Sequence, residues 1–105
     1  MLARADRRSL AYHELIVAKL REDPELVRAR ARANLERLKH QHPDARELLE
    51  RWVSWLDLPL AELASAMLQQ GELGCAMRQV SPFSGLLTAA ERTLVIKRFR
   101  AKESA

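Results

Sequence analysis

The segment around Pro82 and Gly85 constrains the fold most, because the helical pattern of the sequence breaks there. Pro82 fixes its own φ and disfavours the α conformation at the residue before it, and Gly85 can adopt a positive φ. The sequence therefore predicts a shaped turn. Three large apolar residues at this turn, Phe83, Leu86 and Leu87, follow no helical period and have to be covered. Either the rest of the chain or a partner covers them, and residue chemistry alone favours the first alternative.

Outside this turn, apolar residues recur at helical spacing, and no segment alternates as a strand would. Asp23 before Pro24 marks one helix start, with a capping side chain followed by a proline at the first helical position. Thr88 with Glu91 three residues later forms a capping box before the last helix. The predicted helices cover residues 9–22, 24–39, 44–56, 60–71 and 88–100.

The predicted fold class is all-α, a compact bundle of roughly five short helices. Because Gly71 and Gly74 lie so close together, we expect residues 73–79 to form at best a short helical turn. We expect a single helical domain over residues 1–105, with residues 1–8 and 101–105 flexible.

Composition excludes several classes of protein. The single cysteine, Cys75, rules out an intrachain disulfide and fits a reducing compartment. The first residues lack the apolar core of a signal peptide, and no segment approaches the roughly 20 apolar residues of a membrane span. We therefore expect a soluble, cytoplasmic protein without a membrane partner.

Positive charge is concentrated near the end of the chain. Residues 57–77 contain three acidic residues and no basic one, whereas residues 92–102 contain five basic residues and no acidic one. The net charge of the whole chain is +4. A basic surface of this kind permits nucleic-acid binding, but it also fits a solvated face or a contact with an acidic protein. Residues 60–64 are similar to the opening of a helix-turn-helix, yet residues 72–77, which would contact the DNA bases, contain no basic residue. The candidates for nucleic-acid contact therefore lie elsewhere: Arg28, Arg32, Lys97, Arg98 and Arg100.

Candidate catalytic and metal-binding groups are few. His40 and His42 beside Asp44 are too small a ligand set for a metal and are typical of a solvated linker. His13 and Glu14 project about 100° apart on a helix, which is poor geometry for acid–base chemistry. The sequence has neither a Gly-rich phosphate loop nor a nucleophile elbow. We predict no enzymatic activity, no cofactor and no metal.

The turn also has the composition of a partner-binding surface. Aromatic and aliphatic anchors with arginines at their rim are the usual make-up of an interface hot spot. The predicted partner-binding residues are Arg78, Phe83, Leu86, Leu87 and Arg92.

Several short segments match, in order, a pattern shared by a group of bacterial proteins. They are His13-Glu14-Leu15-Ile16, Lys19-Leu20, Arg32-Ala33-Asn34-Leu35, Trp52, Arg78-Gln79, Ser81-Pro82-Phe83, Gly85-Leu86-Leu87 and Glu91-Arg92. On these residues the chain resembles the small all-helical antitoxins of bacterial type II toxin–antitoxin pairs, several of which are encoded beside a nucleotidyltransferase-like toxin. The pattern covers most of the chain and is most specific in its last block, while Leu38 and Val80 depart from it.

This resemblance implies that the protein binds a cognate toxin and neutralises it by direct contact. Phe83 and Leu87 would then be buried in the toxin, and Arg78 and Arg92 would pair with its carboxylates. Two other functions stay open. One is a small DNA-binding transcriptional repressor, acting as a homodimer, and the other is a structural or interaction module without a toxin partner.

Overall fold

The computed structural model describes residues 4–104, with side chains as far as Arg100. This part of the chain contains helices and no strand, which confirms the predicted all-α class. None of its helices combines the length and the apolar character that crossing a membrane requires. A 3₁₀ turn, Pro43–Ala45, precedes the third of six α-helices. The helices are α1 Arg4–Glu22, α2 Pro24–Gln41, α3 Arg46–Trp55, α4 Leu60–Leu68, α5 Glu72–Gln79 and α6 Ala89–Ser104.

The additional helix is α5, which the sequence predicts only as a short turn. Its glycine, Gly74, lies against the backbone that connects α4 to α5. A Cβ at this position would lie 2.1 Å from the carbonyl oxygen of Gln69, far inside van der Waals contact. Gly74 is therefore required by close packing, and it does not interrupt the helix.

The first and last helices, α1 and α6, extend further than the sequence predicts. α1 begins at Arg4, so residues 4–8 are helical, and α6 continues as far as Ser104. The expected flexibility of residues 1–8 and 101–105 stays a prediction. Residues 1–3 and 105 lie outside the described residues.

Two helix starts have the capping bonds that the sequence predicts. Asp23 Oδ1 accepts the backbone N–H of Leu26 at 3.2 Å, and Pro24 occupies the first helical position. At α6, Thr88 Oγ1 accepts the N–H of Glu91 at 3.1 Å, and Glu91 Oε1 accepts the N–H of Thr88 at 2.8 Å. Both predicted caps are confirmed.

One cluster of buried apolar side chains joins helices α1 to α5 and the turn that follows α5. Trp52 of α3 is fully buried in it, and its indole Nε1 donates to the carbonyl oxygen of Met77 at 2.8 Å. That bond satisfies the polar end of a side chain that otherwise contributes apolar area. Burial of each leucine in the cluster contributes about 1.5–3 kcal/mol. The fully buried leucines are Leu20, Leu35, Leu49, Leu56 and Leu63.

The last helix, α6, packs mainly against α1. Among the side chains of α6 that the structure describes, Val95 is the buried one, whereas Leu94 is 45% exposed. Lys19 Nζ of α1 lies 2.8 Å from Glu91 Oε1 at the start of α6. The hydrogen bond from Lys19 holds the pKa of Glu91 below its usual value, so the carboxylate stays ionised and fixes α6 beside the turn.

Candidate functional site

Residues 81–85 form the turn that the sequence predicts. Gly85 has a φ of +82°, and among the described residues it alone has a positive φ. The backbone N–H of Leu86 donates to the carbonyl oxygen of Phe83 at 3.3 Å and closes the turn. An L-residue in this left-handed region costs about 1–2 kcal/mol, which explains why glycine occupies the position.

His13 of α1 fixes the first residue of the turn. Its Nδ1 lies 2.7 Å from the carbonyl oxygen of Ser9, and because a carbonyl only accepts, Nδ1 carries the proton. Nε2 of the neutral ring is then an acceptor for the hydroxyl of Ser81, whose Oγ lies 2.8 Å away. Burial lowers the pKa of His13, the bond to Ser9 opposes that shift, and the positive charge of Arg78 adds to it. The ring is therefore held in its neutral form.

Asn34 of α2 holds the far side of the turn. Its buried amide nitrogen donates to the carbonyl oxygens of Pro82, at 2.7 Å, and Ser84, at 3.1 Å. Its Oδ1 in turn accepts a hydrogen bond from Arg37, three residues later on the same helix. One side chain thus pairs two carbonyls that the turn itself cannot pair.

Phe83 lies in the interior, with 3% of its surface exposed. Its ring packs edge-to-face against Trp52, with centroids 5.4 Å apart, and against His13, with centroids 6.1 Å apart. Leu86 and Leu87 are also buried. The chain itself therefore covers all three apolar residues of the turn. In this structure Phe83 is a core residue, and it is not available as an exposed anchor for a partner.

Arg78 is buried as well, with 4% of its surface exposed, which corrects its predicted position at an interface rim. Its Nη1 donates to the carbonyl oxygens of Met67, at 2.9 Å, and Gln69, at 2.6 Å. Its Nη2 lies 3.7 Å from the sulfur of Cys75. Since the carbonyls at a helix end carry partial negative charge, the guanidinium caps the C-terminal end of α4. Its contacts are structural.

A shallow cleft of about 220 Å³ remains between α1, the turn and the start of α6. Its exposed lining residues are Ser84 and Gly85 of the turn and Arg92 of α6. Within the described residues, Arg92 has no acidic partner. The cleft thus presents a cation beside apolar surface. Its lining also includes Tyr12, Ile16, Ser81, Phe83 and Leu87.

Of the five predicted partner-binding residues, the structure brings three together at this cleft. Phe83 and Leu87 contribute parts of its wall from their buried positions, and Arg92 contributes its exposed side chain. Leu86 and Arg78 do not line it. Whether a partner contacts the cleft stays a prediction.

Two of the five candidates for nucleic-acid contact hold the protein's own backbone. Arg28 donates from Nη1 to the carbonyl oxygens of Leu56 and Leu58, at 2.5 and 2.8 Å. Arg32 Nη2 lies 3.2 Å from the carbonyl oxygen of Leu56 and 2.8 Å from Asp57 Oδ1. These two arginines therefore cap the C-terminal end of α3. The other three candidates, all exposed on α6, are Lys97, Arg98 and Arg100.

The remaining candidate sites are weaker. Within the described residues, no group of three histidine, cysteine or carboxylate side chains could hold a metal ion. His40, His42 and Asp44 are all exposed. A groove of about 460 Å³ along α3 is larger than the cleft, but side chains of that one helix, residues 47–55, form all of its wall. It is the open surface of a helix rather than a site formed between elements.

Sequence reasoning missed the polar residues that position the turn. Asn34 and His13 both lie on the buried faces of their helices, among residues such as Leu35 and Ile16. A polar residue at a buried position needs a hydrogen-bond partner, so each was a signal of a buried polar contact. The signal does not identify the partner, which lies 48 residues away for Asn34 and 68 residues away for His13.

Comparison with known proteins adds no family. Neither a protein-family model nor a curated protein nor a solved structure matches the chain. The resemblance to antitoxins therefore stays a hypothesis.

Proposed function

We propose that this protein is a small binding module that uses the cleft beside the turn to contact a partner protein, in the manner of an antitoxin that neutralises a toxin. The observation that carries this proposal is the way the turn is held. Three helices contribute to it: His13 from α1, Asn34 from α2 and Trp52 from α3. Such a network gives the cleft a fixed shape before any partner arrives, which reduces the entropy cost of binding.

The size and charge of the cleft support a contact with a protein side chain. Its volume of about 220 Å³ is below the range of typical small-molecule pockets, about 300–1,000 Å³. A single side chain protruding from a protein surface is a better match. Arg92 favours a carboxylate beside that side chain, because its planar guanidinium can form two parallel hydrogen bonds with one carboxylate.

The resemblance suggests that the partner is a toxin, and neutralisation then follows from covering its active site or substrate groove. In this form of the hypothesis Arg92 pairs with a toxin carboxylate, while an apolar toxin residue enters the cleft next to Leu87. Arg78 has no part in the contact, because its guanidinium is engaged inside the chain. The core position of Phe83 likewise limits it to forming the wall of the cleft.

The test begins with affinity purification of the tagged chain from its native host, followed by titration calorimetry with any stoichiometric partner. We expect Arg92→Glu to weaken binding by about 30-fold or more, as loss of an interfacial arginine does. Arg98→Glu is the matched control, since Arg98 is also exposed on α6 but does not line the cleft. Equal losses in the two variants, or binding unchanged in both, would contradict the proposal.

A DNA-binding repressor is the second candidate, and one observation favours it. The guanidinium groups of Arg4 and Arg7 lie 5.8 and 5.6 Å from the ring centre of Phe99, so basic residues of α1 lie beside the segment of α6 that carries Arg98 and Arg100. Titration against duplex DNA at two salt concentrations distinguishes this function, because DNA binding through phosphates weakens steeply with salt. A chain that binds neither DNA nor a toxin would be an interaction module of another kind.

A further inference from the structure

We propose that Ser81 is a nucleophile, with His13 as its general base, and that it accepts the acyl group of small activated esters that enter the cleft. The observation behind this proposal is that the fold joins two residues 68 positions apart into the arrangement that activates a serine. It does not rest on the proposed partner contact, although both use the same cleft.

The bond between the two side chains has the direction that the chemistry needs. Because the proton on His13 Nδ1 is donated to the carbonyl oxygen of Ser9, Nε2 has a lone pair aimed at Ser81. The separation of 2.8 Å between Nε2 and Oγ is within the range of a serine bound to its base. The carbonyl of Ser9 thus orients the ring as a carboxylate does in a catalytic triad.

Two features of the surroundings support a reactive hydroxyl. Burial lowers the pKa of His13, so the imidazole is neutral and able to accept a proton near pH 7. The backbone N–H of Phe83 donates to Ser81 Oγ at 3.4 Å and helps to hold that oxygen in position beside His13.

Ser81 also borders the place where a substrate can lie. Ser81 is half-buried and lines the cleft of about 220 Å³, whereas His13 lies behind it and is 4% exposed. A cavity of this size restricts the substrate to a small acyl group. The positive charge of Arg92 on the same cleft favours an ester whose leaving oxygen gains negative charge as its bond to the acyl carbon breaks, before it takes the proton from His13.

The reaction is an acyl transfer. Ser81 Oγ attacks the acyl carbon and forms a new C–O bond, while the hydroxyl proton moves to His13 Nε2. The bond between the acyl carbon and the leaving oxygen then breaks, and the proton passes from Nε2 to that oxygen. The products are an ester on Ser81 and the free alcohol, with no change in oxidation state.

The full-length chain should be incubated with p-nitrophenyl acetate, and nitrophenol release should be followed together with peptide mass mapping. We expect one equivalent of nitrophenol and one acetyl group on Ser81. Ser84 is the matched control, because it lies in the same turn and lines the same cleft but has no bond to His13. General-base assistance predicts that Ser81 reacts about 100-fold faster than Ser84, or more.

Variants give a second readout. Ser81→Ala should abolish the release of nitrophenol, and His13→Gln should slow it by about 100-fold. Ser65→Ala, an exposed change on α4 outside the cleft, should leave it unchanged. The peptide mass map of the wild-type chain shows which serine is acetylated, so the proposal can be tested even if His13→Gln does not fold. The proposal would be overturned by equal acetylation of Ser81 and Ser84 or by acetyl groups on lysines alone. Undiminished release of nitrophenol by Ser81→Ala would overturn it as well.

Discussion

Replacing Asn34 by alanine should destabilise the protein strongly, because it removes the amide that holds the turn. The amide nitrogen donates to the carbonyl oxygens of Pro82 and Ser84 at 2.7 and 3.1 Å. Pro82 is buried, so its carbonyl would be left without a partner, at a cost of about 1–3 kcal/mol. Ser84 is exposed, so water can replace the amide there and the loss is about 0.5–1.5 kcal/mol. The expected decrease in the free energy of unfolding is therefore about 2–4 kcal/mol.

Thermal unfolding followed by circular dichroism measures this loss. For a chain of 105 residues, the average unfolding entropy per residue converts each kcal/mol into about 4–5 °C of Tm. The Asn34→Ala variant should melt about 10–20 °C below the wild type. Arg30→Ala, an exposed change on the same helix, is the control and should stay within about 0.5 kcal/mol. If both variants melted together, the turn would not depend on this amide and the reasoning would be refuted.

Three further changes test other parts of the turn. Phe83→Ala should lower the free energy of unfolding by about 3–5 kcal/mol in urea titrations, since it empties a core position, and a loss below about 1 kcal/mol would contradict its burial. Gly85→Ala should cost about 1–2 kcal/mol in the same assay through its φ of +82° alone, because a Cβ there meets nothing within 4 Å. His13→Gln should flatten the pH dependence of stability. Below pH 6.5 the unfolded wild-type chain binds a proton at His13 that the folded chain excludes, because burial lowers the pKa of this histidine in the fold. The stability that depends on neutral His13 is therefore fully present above pH 6.5 and decreases as the pH falls. Urea midpoints at about pH 7.5 and about pH 5.5 measure that slope, which one histidine limits to about 1.4 kcal/mol per pH unit, and an equal slope in both proteins would exclude His13 as its source.

Local features of this fold could be predicted from the sequence because their physical causes lie within a few residues. The cap at Asp23 and the capping box of Thr88 and Glu91 involve side chains three residues from the backbone groups that they satisfy. The positive φ of Gly85 follows from turn chemistry. The prediction of a short turn in place of α5 was wrong because the role of Gly74 is not local. This glycine allows the close approach of Gln69, and helix propensity gives no information about such packing.

The candidate site depends on contacts between residues that are distant in the sequence, and the sequence alone did not predict which residues form these contacts. Hydrophobicity indicated that Phe83 must be covered, but it could not show whether Trp52 or a partner does so. The same ambiguity affected the arginines. Arg28 and Arg78 have the charge of a binding residue, yet both cap helix ends inside the fold, and only the path of the chain places those carbonyls within reach.

The burial of Phe83 and Arg78 decides which variants can report on partner binding. Truncating either residue removes contacts that stabilise the folded chain, so reduced binding by such a variant is explained equally well by unfolding. Arg92 differs, because its side chain is exposed at the cleft and has no acidic partner among the described residues. Its replacement should leave the melting temperature nearly unchanged. A loss of affinity in Arg92→Glu at constant Tm would therefore measure the partner contact itself, which Phe83→Ala cannot do.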